Sequence, residues 1–490
     1  MKRLIELMAA VVLVLFAFAM SGLAQESKSG LAQQSKSKAQ LSVPGSPIVV
    51  SGSGQQSAPP RLPPASGTLV IPKSSQAQPT PAGHHFAAHT NVEIFIPSGV
   101  SPDELPPFSG YGYETPASLG CHYALVAGGS LTGACNPNST TVTPTGGANS
   151  IAVVDAYDDP SAPSDLAWFS LQFGLPLTAS QIEVVWANTG SSSCPVNYGY
   201  GVPVDYSGGW ELEEALDVEW AHAMAPSAKI YLVEACSNYD SDLGQAVLVA
   251  NNLVNCGQSL LDPGTGALGT CATSNPGLVS MSWGGGEYPG ETSYDSTYFI
   301  ANNVQYIAAA GDGPGVEYPC ASPNVICAGG TTMRRNYPTS FNFVQETAWA
   351  LTGGGASAYE TRPGFQNGVS NNPTTMRGVP DLSLDSDPYT GVYVYDTFPM
   401  DIYYFYQWWV VGGTSVSTQA LAGIVDVASV TSGFAGSTQI ELNYMYARRS
   451  NTSNFQDIQV GYCGPYMGFS TLVHWDFCTG IGTPNGYGGM

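Results

Sequence analysis

Between residues 150 and 310, short apolar runs alternate with stretches of helical spacing. Ile151-Ala152-Val153-Val154, Ile230-Tyr231-Leu232-Val233, Leu278-Val279-Ser280-Met281-Ser282 and Gln305 to Ala310 read as buried strands. Ser164 to Phe173 (with Leu166, Phe169 and Phe173), Trp210 to Met224, Ser241 to Val254 and Thr292 to Asn303 read as helices. Strands that are apolar on both faces and separated by helices need a parallel sheet covered on each side. The prediction is an α/β domain with a central parallel sheet and helices on both faces. In such sheets a site collects beyond the carboxyl ends of the strands. Asp312 follows one predicted strand, and Trp283 with Gly284-Gly285-Gly286 follows another. No internal repeat is visible.

The flanks bound the organisation. Lys2 and Arg3, an apolar run from Met8 to Met20 and the small residues Ser21-Gly22-Leu23-Ala24 have the form of a cleavable secretory signal. Residues 25–105 are rich in Gln, Ser, Pro and Ala and read as a low-complexity linker or reduced propeptide, with a short extended piece at Val92 to Ile96. Residues 106–490 are expected to form the folded domain. Removing residues 1–24 takes away two basic residues and one acidic one, leaving a formal charge of −24. Nucleic acid is an unsuitable partner for such a surface. Only 10% of residues are charged, which fits an acidic exterior where carboxylates are neutral and few cations repel. All ten cysteines lie after residue 120, and an even count in an exported chain reads as disulfides. The close pairs are 121–135, 256–271, 320–327 and 463–478, which leaves 194–236. The expected product is an extracellular monomer, free of the membrane once the signal is removed.

A nucleophile is suggested by Gly412-Gly413-Thr414-Ser415-Val416-Ser417-Thr418, followed by the apolar run from Ala420 to Val425. Small residues around a serine at a helix start form an elbow that exposes its hydroxyl. Such a serine needs a base. None of the six histidines has an evident place beside it, and no His-Gly-Thr segment follows the first strands, which argues against a histidine-based mechanism. Carboxylates are the alternative. Glu213 and Asp217 are four apart on a helix, about 40° round its axis, and as neighbours they would share one proton. Glu214 and Asp217 also share a face, so spacing alone leaves the choice between Glu213 and Glu214 open. Asp312, in Gly311-Asp312-Gly313, has the form of a turn residue; protonated, it could donate to a developing oxyanion.

Together these segments resemble the sedolisin family of serine-carboxyl peptidases, which has a subtilisin-like fold. Further matches are Leu216-Asp217-Val218-Glu219 before Ala225-Pro226-Ser227-Ala228, Val279-Ser280-Met281-Ser282-Trp283-Gly284, Ser322-Pro323-Asn324-Val325 before Gly329-Gly330-Thr331-Thr332, and Val379-Pro380-Asp381-Leu382-Ser383. The resemblance implies Ser415 as nucleophile, Glu213 as base, Asp217 as its orienting partner and Asp312 as oxyanion donor with the Ser415 amide. Trp283, Gly284 and Gly285, with Gly353-Gly354-Gly355, would edge the substrate cleft. Asp155 falls where some members carry a supporting Glu. It also implies one Ca²⁺ near the C-terminus, with Asp457 and Asp476 supplying carboxylates and Ile458, Leu472 and His474 backbone carbonyls. Oxygen-only ligation suits that ion.

Three departures stand out. Leu472 and His474 occupy positions where a glycine is common, Gln419 replaces a usual proline, and residues 25–105 are short for a folded propeptide. The replacement at 419 reads as a mild change near a helix start. The expected function is an exported, acid-active serine peptidase acting on polypeptides; the alternative is a catalytically silent binding protein on the same fold.

Overall fold

The computed structural model describes residues 66–188, 194, 201–262, 265–398 and 407–490. The signal segment and the linker up to residue 65 lie outside these. In chain order the principal elements are β1 (Gly67–Val70), β2 (His89–Thr90), β3 (Glu93–Pro97), β4 (Ser150–Ala156), α1 (Ala162–Phe173), β5 (Ile182–Ala187), α2 (Gly209–Met224), β6 (Lys229–Ala235), α3 (Asp240–Cys256), β7 (Gly277–Met281), β8 (Trp283–Gly286), α4 (Thr292–Tyr298), β9 (Val304–Ala309), β10 (Ile326–Arg335), β11 (Phe343–Ala348), β12 (Leu382–Asp385), β13 (Val392–Tyr395), β14 (Trp408–Gly412), α5 (Thr414–Ser432) and α6 (Thr438–Arg448).

The central sheet runs β11-β10-β9-β7-β4-β6-β5, with β12 also paired to β10. All its pairings are parallel except β10 with β11. Two cores follow from the period-2 alternation of the strands. Ile151, Val153, Ile230, Leu232, Leu278 and Ile307 point to one face, against Leu212, Leu216, Trp220 and Leu421 of α2 and α5. Ala152, Val154, Tyr231, Val233, Val279 and Tyr306 point to the other, against Leu243, Val247, Ala250 and Val254 of α3. This is the three-layer α/β domain expected from the sequence. Among the described residues, no helix is long and apolar enough to cross a membrane.

Two expectations need correction. The proposed helix to Asn303 stops at Tyr298: the Phe299 amide closes on the Asp295 carbonyl at 3.1 Å, the Phe299 side chain is buried, and Asn303 takes φ +57° to enter β9. More important, the segment read as a linker up to residue 105 is folded from Ser66 onward. β1 pairs with β3, and β3 pairs with β14 through Phe95 opposite Val410 and Glu93 opposite Gly412. Val92, Ile94 and Phe95 are buried in the main core. β3 coincides with the extended piece read at Val92 to Ile96, whereas β1 is brief and set in polar, proline-rich sequence, so its periodicity is too short to register.

All five disulfides join the pairs read from the spacing: 121–135, 194–236, 256–271, 320–327 and 463–478. The motif segments around 322 and 380 are tied by a fully buried ion pair. Arg377 Nη2 and Nη1 donate to the two oxygens of Asp381 at 2.7 and 3.1 Å, and Arg377 also donates to the Ser322 and Val325 carbonyls. Asp381 in turn accepts from the Cys327 amide and the Tyr446 hydroxyl. Removing one member leaves the other charge unpaired in the core. Arg377→Leu is expected to cost about 3–5 kcal/mol in urea unfolding; a loss under about 1 kcal/mol would show the network is dispensable.

Helix α2 is buried along its whole length although it carries Glu211, Glu213, Glu214, Asp217 and Glu219. Burial is the main reason that all five are pushed up in pKa, Glu211 to about 9. Asp155 and Glu93 are likewise raised to about 8. The folded state therefore holds protons that the unfolded chain releases near pH 4. Stability is full below that pH and falls as pH rises toward 8–9, where these groups ionise in place. The melting temperature, followed by calorimetry, is expected to be higher at pH 4 than at pH 8. The opposite order would contradict the neutral state of these carboxyls.

Candidate active site

Three elements converge at the carboxyl end of the sheet. Strand β14 ends at Gly412, and Gly413 at φ +113° turns the chain into α5, so that Ser415 stands in the first helical turn. A side chain at Gly413 has no room: its Cβ would lie 2.0 Å from the Asn91 carbonyl oxygen and 2.5 Å from Asp312 Oδ2. The turn after β9 brings Asp312 against the same corner. Its Oδ1 accepts from the Thr414 amide at 2.7 Å and the Thr414 hydroxyl at 2.9 Å, while Oδ2 is buried without a partner. Gly353 braces that turn, its amide donating to the Gly311 carbonyl at 2.8 Å. Helix α2 packs against α5 and presents Glu213 and Asp217 to it.

The electrostatics separate Glu213 from Glu214. Burial raises both. Beyond that, Glu213 is raised by Asp155 and Asp312, and hydrogen bonding from Ser415 and Asp217 pulls it back down. Glu214 instead faces Glu234, Asp159, Asp155 and Glu211. Asp217 is raised by burial, then by Asp155 and Glu213, and its contact with Glu213 raises it further while lowering Glu213. The shifts run in the direction of a pair in which Asp217 holds the proton, while both Glu213 oxygens and Asp217 Oδ1 are buried without a hydrogen-bond partner. The Ser415 hydroxyl directs its bond to the Ser282 carbonyl at 3.1 Å and not to Glu213. Asp312 is lifted to about 7, mainly by burial, against the hydrogen bonds from Thr414. It is a neutral acid at acidic pH.

The cleft contains the chain's own N-terminal segment. Strand β2 pairs antiparallel with β8, His89 opposite Gly284 and Thr90 opposite Trp283. The Asn91 amide donates to the Ser282 carbonyl at 3.2 Å, and the Ser415 amide donates to the Asn91 carbonyl at 3.2 Å. An extended main chain thus runs past Ser415, with one carbonyl oxygen between the Ser415 amide and Asp312 Oδ2. His89 approaches Glu317 at 3.4 Å; burial opposes its charge, but Glu317 outweighs burial and its pKa rises to about 9. Sequence reasoning missed Asn91 and His89, because neither carries a motif and both were read as linker.

It also misjudged Gln419, which is fully buried beside Asp217. The other histidines are elsewhere. His122 lies beside the 121–135 disulfide and contacts Glu346 at 3.2 Å, and His222 is buried on α2.

The residues expected to hold calcium lie in two adjacent loops. Asp457 Oδ1 is buried without a partner. Asp457 Oδ2, however, accepts from the His474 amide at 2.9 Å, and the two Asp476 oxygens accept from the amides of Leu472, Cys478 and Thr479. Amide N–H groups of 472 and 474 thus point where the resemblance places carbonyls, and His474 takes φ +68°. As arranged, three of the four carboxylate oxygens are engaged by backbone amides, and Asp457 Oδ1 is the one without a partner. Among the described residues no group of three or more His, Cys, Asp or Glu is placed to hold a metal.

No family model matches the chain. It is 26% identical over 358 residues to sedolisin of Pseudomonas sp. (strain 101), covering 69% of this chain and 57% of that protein. It is 28% identical over 319 residues to kumamolisin of Bacillus sp. (strain MN-32), covering 58% and 51%. A third relative is tripeptidyl-peptidase 1 of Dictyostelium discoideum, 24% identical over 389 residues, covering 71% and 55%. The chain spans about half the length of these curated relatives. In fold it matches the structure of Pseudomonas sedolisin, a serine-carboxyl proteinase complexed with pseudo-iodotyrostatin, at a TM-score of 0.56 and 21% identity, covering 76% of this chain and 96% of that one. The chain is similar to the sedolisin family of serine-carboxyl peptidases and shares the subtilisin-like fold of Pseudomonas sedolisin.

Proposed function

We propose that the protein is an exported serine peptidase that works in acid on polypeptide substrates. The observation that carries this reading is the extended segment 88–92: it lies on the Trp283–Gly284 edge with the Asn91 carbonyl received by the Ser415 amide. A substrate peptide seated the same way would place its scissile carbonyl there. Ser415 would attack, and Glu213 would take the hydroxyl proton. Asp217 would orient Glu213 and hold the shared proton, and protonated Asp312 would donate from Oδ2 to the oxyanion beside the Ser415 amide. Glu213 would then return the proton to the leaving amine and activate water to release the acyl group. A carboxylate base suits acid because imidazole is protonated there. The segment 88–92 has to leave before substrate enters, so the described arrangement is closed to other peptides.

Secretion is supported by the signal-like first 24 residues and by the five disulfides. We infer a monomer in solution with no nucleic-acid partner.

In purified, processed protein assayed on an unfolded substrate at acidic pH, Ser415→Ala is expected to lower kcat by about 10⁴-fold or more. Glu213→Ala and Asp217→Ala are expected to lose at least about a thousandfold, and Asp312→Ala about 10²–10³-fold. Each should stay folded by circular dichroism. An active Glu213→Ala enzyme would overturn the assignment of the base.

Calcium is suggested by the family resemblance alone. As the loop stands, a chelator is expected to leave the melting temperature unchanged, whereas Asp476→Ala, which removes an acceptor of three amides, lowers it. A rise of several degrees on adding Ca²⁺ to chelated protein would show that the loop rearranges into a cage.

A further inference from the structure

Gln419 stands one helical turn after Ser415, with its side chain turned into the protein and fully buried. Every polar atom of that side chain is engaged. Its carbonyl Oε1 accepts from the Ser280 hydroxyl at 2.9 Å. Its amide Nε2 donates to Asp217 Oδ2 and to the Ser282 hydroxyl oxygen, the latter at 2.9 Å. Two hydrogens meet two acceptors, and the Ser280 hydroxyl completes the set by donating to Oε1. Ser282 is the residue whose carbonyl receives the Ser415 hydroxyl. Gln419 therefore links strand β7, the β7–β8 junction and the acidic pair on α2.

An N–H donor cannot face an O–H. Asp217 Oδ2 must be an acceptor, so any proton on Asp217 sits on Oδ1. We propose that Gln419 is a positioning residue that fixes the proton of the Glu213–Asp217 pair on Asp217 Oδ1, leaving Glu213 free to act as base. This rests on the reading of Ser415, Glu213 and Asp217 given above. A proline at this position has no such donor, so the device belongs to this chain's own departure from the family pattern. The ionisable groups around the pair are few. Asp155 at the end of β4 faces Asp217, and Asp312 after β9 faces Glu213. Glu234 on β6 faces Glu214 instead, and Glu93 on β3 faces Asp312. Strand β7 and the β7–β8 junction offer only the hydroxyls of Ser280 and Ser282. No cation faces Asp217 in this set, and Gln419 is a donor to it whose strength does not vary with pH.

The test is the pH dependence of kcat/KM for Gln419→Met and Gln419→Glu, beside wild type and Ser415→Ala, in the full-length processed protein. Without the amide donor the pair holds its protons more tightly, so Glu213 becomes a base only at higher pH. Gln419→Met is expected to lower kcat about tenfold or more, with KM little changed, and to move the acidic limb up by about one pH unit. Gln419→Glu, buried and neutral in acid like its neighbours, can donate its O–H to Asp217 Oδ2 in place of the amide and should bring the limb back toward wild type. If Gln419→Met folds and loses activity by the same factor at every pH, with the limb unmoved, Gln419 only packs the helix and the proposal fails. If Ser415→Ala keeps full activity, the reading of the site fails and takes this proposal with it.

Discussion

Burying a helix that carries five carboxyls is the constraint on which the rest of the structure depends. Helix α2 packs beside α5 on one face of the sheet, and among the described residues no lysine or arginine neutralises it. Such a helix is tolerable only if most of its carboxyls are neutral. The surroundings sort them: Glu214 turns toward Glu234 and Asp159, whereas Glu213 and Asp217 turn toward α5 and Asp155. What looks like an unfavourable packing choice is the condition for a carboxylate pair to share a proton next to Ser415. The low content of charged side chains fits the proposed acidic setting, where surface ion pairs would titrate away.

The second dependence is on the N-terminal segment. Strand β3 holds β14, and β14 delivers Gly412 and Gly413 to the turn that sets Ser415. Glu93 stands opposite Gly412 and near Asp312, so the same strand that supports the proposed nucleophile adds a second buried carboxyl, raised to about 8, beside the proposed oxyanion donor. Immediately before it, residues 88–92 lie across the cleft. One short stretch of chain therefore both builds the site and covers it. Separating those two roles requires that the part before Val92 can move while β3 stays paired.

Much of this was legible because the periodicities were long and local. The strands at 151, 230, 278 and 305 are apolar on both faces, and α2 and α3 run for four turns or more, so element type and the three-layer arrangement followed. Ser415 and Asp312 could be picked out because one stands at a helix start and the other follows a strand, whereas Glu213 and Asp217 lie within α2, where spacing left Glu213 and Glu214 open and only the family resemblance chose. Of the N-terminal strands, β3 matches the extended piece read at Val92 to Ile96, but β1 and the pairings were not legible: the strands are four and five residues long, and β14, the second partner of β3, lies more than 300 positions away. Gln419 was misjudged for a related reason. A glutamine near a helix start reads as solvent-facing unless the packing of α2 against α5 is known. In the loops the resemblance assigns to calcium, backbone amides occupy three of the four carboxylate oxygens, which residue types and spacing do not reveal.

The central claim is that a carboxylate pair, not an imidazole, activates Ser415. The most direct measurement is the pH profile of peptide-bond hydrolysis from about pH 2 to 9, with a solvent-independent active-site titration of Ser415 at each pH to separate catalysis from unfolding. The account predicts an acidic optimum, with Ser415 still acylating where every histidine is protonated. A neutral or alkaline optimum, with acylation lost below about pH 6, would mean that a histidine is the base and would contradict the roles given to Glu213 and Asp217.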